Sequence, residues 1–327
     1  MGNYLSEPDK KKHGRKDGRS DLLEYGACGM QGWRQHMEDA HLCITDFNGR
    51  SDEALFAVFD GHGGREVAAF SKNRFPHVLL ESPLYERGEY LEALRRGYLR
   101  LDELLNAECK EKWQSVGCTA VSVFFKGREI FVANAGDSRA VLCRRGIAID
   151  LTEDHKPTNP EENSRINQAG GVVLHGRVNG NLNLSRSIGD LVYKNDPSLS
   201  PERQVITANP DTFSRVLDPG HDEFIVIACD GIWEVMDSQS VCDFIKPKLR
   251  DSDHQGSIST VVDQLLDVIC SKNVCSSSGV GLDNLTCVIL DLRPGLPLLA
   301  DSPERPRRVD PPVHDDDDDD DEREPDA

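Results

Sequence analysis

Two apolar runs in this 327-residue chain end in the same way. Leu55-Phe56-Ala57-Val58-Phe59 stops at Asp60-Gly61-His62-Gly63-Gly64, and Phe224-Ile225-Val226-Ile227-Ala228-Cys229 stops at Asp230-Gly231. An acid directly after an apolar strand sits at the rim of the core, where packing fixes its position. The glycine beside it lets the backbone turn sharply and leaves room for a ligand near the main chain. A third acid, Asp283, precedes Asn284 and a further apolar run, and Glu38-Asp39 forms a fourth acidic cluster shortly after Arg34. Carboxylates gathered at strand ends repel one another unless cations neutralise them. Hard oxygen donors without Cys or His pairs favour Mg²⁺ or Mn²⁺ over zinc. A single Asp-Gly pair is as readily an ordinary turn. Two identical exits shift the reading towards metal, although spacing alone does not prove it.

The elements that must carry these residues are short. Strands are expected at 54–59, 119–125, 130–133, 140–143, 224–229 and 286–290, all apolar runs rich in β-branched or aromatic residues. The turn at Lys126-Gly127-Arg128 favours an antiparallel hairpin over a crossover. Leu91, Leu94, Tyr98, Leu101 and Leu105 repeat at three and four residues, giving one helical stripe, as do Val261, Leu265 and Val268. Residues 160–169 end in Gly170-Gly171, a helix stop. Antiparallel strands with a few amphipathic helices imply an α+β fold with helices covering sheet faces.

Composition bounds the rest. No stretch of about 18 apolar residues is present and the first residues are polar and basic, which argues against a spanning helix and a secretory signal. The expected setting is cytoplasmic or nuclear, and not secreted. The ten cysteines are scattered without a C-x-x-C pair and read as free thiols. Of the net charge of −19, residues 1–21 carry +2 and residues 301–327 carry −9. So acidic a middle argues against nucleic acid as a partner. Residues 1–21 are expected to be a flexible basic arm, 22–293 one globular unit, and 294–327 a disordered acidic tail ending in the aspartates 315–321.

The ordered series Trp33-Arg34-Gln35-His36-Met37-Glu38-Asp39, Phe59-Asp60-Gly61-His62-Gly63-Gly64, Gly117-Cys118-Thr119-Ala120, Ala135-Gly136-Asp137-Ser138-Arg139, Leu184-Ser185-Arg186-Ser187-Ile188-Gly189-Asp190, Asp230-Gly231-Ile232-Trp233 and Asp283-Asn284-Leu285-Thr286 resembles the type 2C metal-dependent protein serine/threonine phosphatase family. The likeness spans roughly 25–292. Met1-Gly2-Asn3-Tyr4-Leu5-Ser6 and Met30-Gln31-Gly32-Trp33 are most similar to the gamma form of the animal enzymes, without that form's long acidic insertion.

The resemblance implies a β-sandwich of two antiparallel sheets flanked by helices on both sides. The metal site lies at one end, between the sheets. It further implies that Asp60 bridges two Mg²⁺ or Mn²⁺ ions and that the Gly61 carbonyl binds one. Asp230 and Asp283 complete the ligands, and Glu38 acts partly through water. Asp137 with Asp230 matches a weaker third position. Arg34 is then expected to hold the substrate phosphate and His62 to protonate the leaving oxygen. Water is the attacking group, with no covalent phospho-enzyme, and the substrates are phosphoserine and phosphothreonine proteins. The stretch 163–190 resembles the family's flap beside the cleft.

Two rivals remain open at this point. Cys28 and Arg34 stand in the C-x₅-R spacing of thiol phosphatases, but Ala27 precedes the cysteine and nothing nearby is expected to lower its pKa. A catalytically dead scaffold is the other, although every implied ligand is in place. At the start, Met1-Gly2-Asn3-Tyr4-Leu5-Ser6 fits the N-myristoylation pattern. With Lys10, Lys11, Lys12, Arg15, Lys16 and Arg19 behind it, acylated Gly2 is expected to give weak peripheral membrane contact. The same basic cluster equally fits a nuclear address. For the aspartate run the expected role is solvation, with docking of a basic partner or a weak cation reservoir as the alternatives.

Overall fold

The computed structural model describes residues 4–109, 112–250, 257–274 and 279–295. Gly2, the aspartates 315–321 and all but the first two residues of the 294–327 segment lie outside the described residues.

Two antiparallel sheets form the centre. The first runs Asp9–Arg19, Glu24–Gly32, Leu285–Asp291, Asp222–Ala228, Arg139–Arg144 and Ile147–Asp150. The second runs Asp211–Val216, Glu129–Ala135, Ala120–Lys126, Glu53–Phe59 and Ala40–Thr45. The hairpin expected at Gly127-Arg128 joins Ala120–Lys126 to Glu129–Ala135, with Lys126 opposite Glu129.

Strand periodicity sorts each run between two cores. Along Asp222–Ala228, Ile225 and Ile227 face the other sheet and meet Phe56, Val58, Val123 and Phe125. Phe224, Val226 and Ala228 face outwards onto the helices Ser238–Arg250 and Ile258–Ile269. Likewise Leu55, Ala57 and Phe59 pack outwards among Phe75 and Tyr98 of the helices Glu66–Leu80 and Tyr90–Cys109. The result is the four-layered α+β sandwich expected from the sequence. Strands buried on both faces read as unbroken apolar runs, which is why these were legible.

The basic arm is different from expectation. Asp9–Arg19 is an edge strand, paired with Glu24–Gly32 through two irregularities of register. Its backbone supplies ladder hydrogen bonds whatever its side chains are, and a lysine-rich edge is how a sheet discourages further pairing. Its bases are also used: Lys12 Nζ lies 2.6 Å from Asp267 Oδ1, and Arg15 bonds Ser259 and Thr260 at 2.9 Å each. Low hydrophobicity indicated a mobile segment, but edge pairing does not require hydrophobic side chains.

The helix Pro160–Gln168 is fastened to the edge of the second sheet by charge. Glu162 accepts from Arg186 at 2.7 and 3.0 Å and from Arg165 at 2.7 Å, and Arg186 also reaches Asp211 at 2.6 Å. Burial alone would raise the Glu162 pKa; the two guanidiniums outweigh it and bring it from an ordinary 4.5 to about 2. A depressed carboxyl pKa contributes stability above the unfolded value that is lost as pH falls through the folded one. Glu162→Gln is therefore expected to cost on the order of 3 kcal/mol at pH 7. The gap to the unaltered protein should close between pH 4.5 and about 2, as urea unfolding at stepped pH would show.

Candidate active site

The alternation that turns Phe56 and Val58 between the sheets continues to Asp60, at the strand's exit. Its position is braced by Thr119, whose N–H donates to the Asp60 carbonyl at 2.9 Å. Asp230 opens the short helix Asp230–Trp233, and Trp233 closes that turn by donating its indole N–H to the Ala228 carbonyl at 2.8 Å. Asp283 lies just before Leu285–Asp291, and Asp137 just beyond Glu129–Ala135. Glu38 belongs to the segment between Glu24–Gly32 and Ala40–Thr45. These acids come from both sheets and from the same end of the sandwich.

They line one cleft of about 310 Å³, together with Arg34, Gly61 and His62. The sequence-predicted residues Arg34, Glu38, Asp60, Gly61, His62, Asp137, Asp230 and Asp283 are thus all brought together. Gly61 is required there by space, because a Cβ would collide with the Glu38 carbonyl oxygen.

The electrostatics of the cleft are those of excess negative charge. Burial pushes Asp60 well above the usual carboxylate range, and Asp39, Asp230, Asp283 and Asp137 add to the shift. Asp230 is raised for the same reasons, burial first and then Asp137 and Asp283. Arg34 Nη2 lies 2.5 Å from Asp283 Oδ2, and Lys156 pairs with Asp137. Among the described residues Asp60 and Asp230 take no ion pair. One oxygen of the neighbouring Asp39 is buried without a hydrogen-bond partner.

Anions held this close in a low dielectric need neutralisation by protons or by cations. An all-oxygen set of carboxylates with the backbone carbonyl of Gly61 suits Mg²⁺ or Mn²⁺. The residues present fit such ions by charge and donor type. They share a cleft rather than a closed cage: among the described residues no three His, Cys, Asp or Glu side chains form a compact ligand group.

Several partners in the site were not singled out from the sequence. Asn284 ties the Arg34–Glu38 segment to the Asp283 strand: its Nδ2 donates to the carbonyls of Gln31 at 2.8 Å and His36 at 3.0 Å, and its Oδ1 accepts from Glu38 N–H at 2.9 Å. Lys156, which pairs with Asp137, and Tyr4, which lines the cleft, are further additions. His62 Nε2 lies 2.7 Å from Asp190 Oδ2. Burial opposes the charged ring, but the Asp190 carboxylate outweighs it, so the His62 pKa is raised. The Asn284 and His62 contacts join residues over a hundred positions apart, and no local spacing announces them.

The thiol rival fails on position. Cys28 is buried in the core beneath the helices, and burial pushes its thiol up to about 12. No cysteine is among the described residues lining the cleft. Cys28, Cys43, Cys118, Cys143, Cys229, Cys242, Cys270 and Cys287 are free and buried.

Comparison with known proteins bears on the same residues. The protein phosphatase 2C family model matches residues 23–278. A probable protein phosphatase 2C 6 of Paramecium tetraurelia is 40% identical over 304 residues, covering 90% of this chain and 100% of that one. A protein phosphatase 2C homolog 2 of Schizosaccharomyces pombe is 42% identical over 295 residues, covering 89% and 78%. Among solved structures, a phosphatase from Toxoplasma gondii shares the fold with a TM-score of 0.71, at 24% identity over 87% of this chain and 96% of that one. With that match across its globular part and with its acids, arginine and histidine gathered in one cleft, the chain belongs to the protein phosphatase 2C family.

Proposed function

We propose that this cleft removes phosphate from phosphoserine and phosphothreonine in proteins, using Arg34 to hold the phosphate and His62 to protonate the leaving oxygen. Family membership makes the chain a metal-dependent protein phosphatase. Glu38, Asp60, the Gly61 carbonyl, Asp230 and Asp283 are the donors assigned to two Mg²⁺ or Mn²⁺ ions, with Asp137 and Asp230 offered to a weaker third. The observation that carries this reading is the partly buried, closely gathered Asp60 and Asp230 beside Arg34 and His62 in one cleft.

When bound, such ions neutralise phosphate charge and lower the pKa of water, so that hydroxide is available near neutral pH. The chain's own groups then have separate tasks. Arg34 presents a planar fork of N–H donors to the non-bridging oxygens, whose charge changes in the transition state. Serine and threonine alkoxides are poor leaving groups, and His62, whose pKa is raised beside Asp190, would donate a proton to them. With water as the attacking group, no bond forms between phosphorus and the protein.

The test is hydrolysis of phosphoserine, phosphothreonine and phosphotyrosine peptides with and without EDTA. Turnover should disappear with the chelator, return with Mn²⁺ or Mg²⁺, and persist after iodoacetamide. Activity that survives EDTA or is lost to iodoacetamide would refute the metal reading in favour of a thiol. No turnover of any peptide would favour a scaffold.

A further inference from the structure

The structure assigns to Asp190 the task of holding His62 in the orientation from which it donates its proton, a role that rests on the function proposed above. The geometry is that of a small three-stranded sheet, ordered Ile188–Gly189, Gly117–Cys118, Gly61–His62. In its register His62 stands opposite Gly117 on one side and Gly189 stands opposite Gly117 on the other. Two segments 128 positions apart are therefore brought to the same glycine, and the side chains of His62 and Asp190 meet over it at 2.7 Å.

The meeting needs that glycine. A Cβ on Gly117 would sit 2.6 Å from His62 Nε2 and closer still to Asp190 Oδ2. Any larger residue would lie between the two side chains. The cysteine that follows, Cys118, is buried with its side chain towards Ser71 and does not enter the contact.

Asp190 is itself held from several directions. Its backbone has φ 51, in the left-handed region, and its N–H donates to the Val116 carbonyl at 2.9 Å. Ser187 Oγ donates to the same Oδ2 that meets His62, at 2.6 Å. Below it, Asp102 accepts the Gly189 N–H at 2.7 Å and pairs with Lys194 at 2.5 Å, while Lys194 also donates to the Ser187 carbonyl at 2.7 Å. This buried pair clamps both ends of the Ser187–Asp190 turn. The Asp190 side chain is only 3% exposed and that of His62 is 26% exposed, so the carboxylate is out of reach of substrate and acts only through the imidazole. A carboxylate on one ring nitrogen fixes the ring's plane and leaves the other nitrogen uncommitted to that contact. Asp190 is thus a positioning residue.

The experiment is a double-mutant cycle read on two substrates. Asn tolerates a left-handed φ better than most residues, so Asp190→Asn keeps the turn while weakening the contact, and thermal melting checks that it folds. With a phosphothreonine peptide and Mn²⁺, Asp190→Asn should lower kcat about ten- to a hundredfold with little change in KM, a part of what general acid catalysis supplies. With p-nitrophenyl phosphate, whose leaving group needs little protonation, the loss should be much smaller. In a His62→Gln background the further loss from Asp190→Asn should be less than about threefold, because the residue it positions is gone. Gly117→Ala should reproduce the substrate dependence of Asp190→Asn.

Equal losses on both substrates, or the same loss with and without His62, would overturn the assignment and leave Asp190 a structural residue. If instead the unaltered protein with Mn²⁺ turned over neither substrate, the phosphatase reading itself would fail.

Discussion

Asp60→Asn should lower kcat/KM for a phosphothreonine peptide by at least about a thousandfold, close to 4 kcal/mol of transition-state stabilisation, yet leave the metal-free protein as stable as before or more so. The two halves have one cause. Asp60 is partly buried among Asp39, Asp230, Asp283 and Asp137, and its carboxyl is raised well above its usual range by desolvation and by those neighbours. Without a bound cation its negative charge is a burden, and an amide of the same shape removes that burden. The same charge is what would hold divalent ions, and an amide is a much weaker ligand. Steady-state kinetics in Mn²⁺ and thermal melting in EDTA measure the two halves separately. A loss below tenfold would remove Asp60 from the catalytic machinery. A lost activity with a sharply lowered melting temperature would make it a folding residue instead.

Arg34→Ala is the second large effect, at about two to three orders of magnitude in kcat/KM, the scale seen when a donor to transition-state charge is removed. Arg34 is half-exposed, and its guanidinium stays charged because Asp283 outweighs the effect of its burial. Among the described residues only Nη2 is committed, to Asp283, and a guanidinium has five N–H donors, so the fork has donors left for a phosphate. Arg34→Lys keeps the charge but loses the fork, and should recover only a minor part of the activity. Inhibition by inorganic phosphate should weaken in both variants. Unchanged phosphate inhibition in Arg34→Ala would mean that another group holds the phosphate.

Much of this site was legible because its ligands stand where strands end. Leu55 to Phe59 and Phe224 to Cys229 are buried on both faces, so the first charged residue after each marked a core rim. The ordered motifs then suggested the roles proposed for Arg34 and His62. The Asp9–Arg19 strand was not legible, since its pairing uses main-chain groups and its bases find partners such as Asp267 near the far end of the chain. Asp190 was visible within a motif, but its partner His62 is set by the register of three two-residue strands. Such pieces are too short for any periodicity to reveal. Asn284 was hidden differently: an asparagine beside an aspartate looks like turn chemistry, and only the fold shows it stitching the Arg34–Glu38 segment in place.

The position of Leu285–Asp291 has a consequence for how the protein comes into being. This last described strand is not at an edge; it lies between Glu24–Gly32, near the start, and Asp222–Ala228. A ribosome delivers the chain from its first residue, so the first sheet stays split until almost the whole globular part has emerged. Asp283 enters the cleft with that strand. Contacts spanning such sequence distances close late and slowly. A growing chain therefore has Asp60 and His62 long before it has a complete site, and the finished sandwich and the competent cleft arrive together.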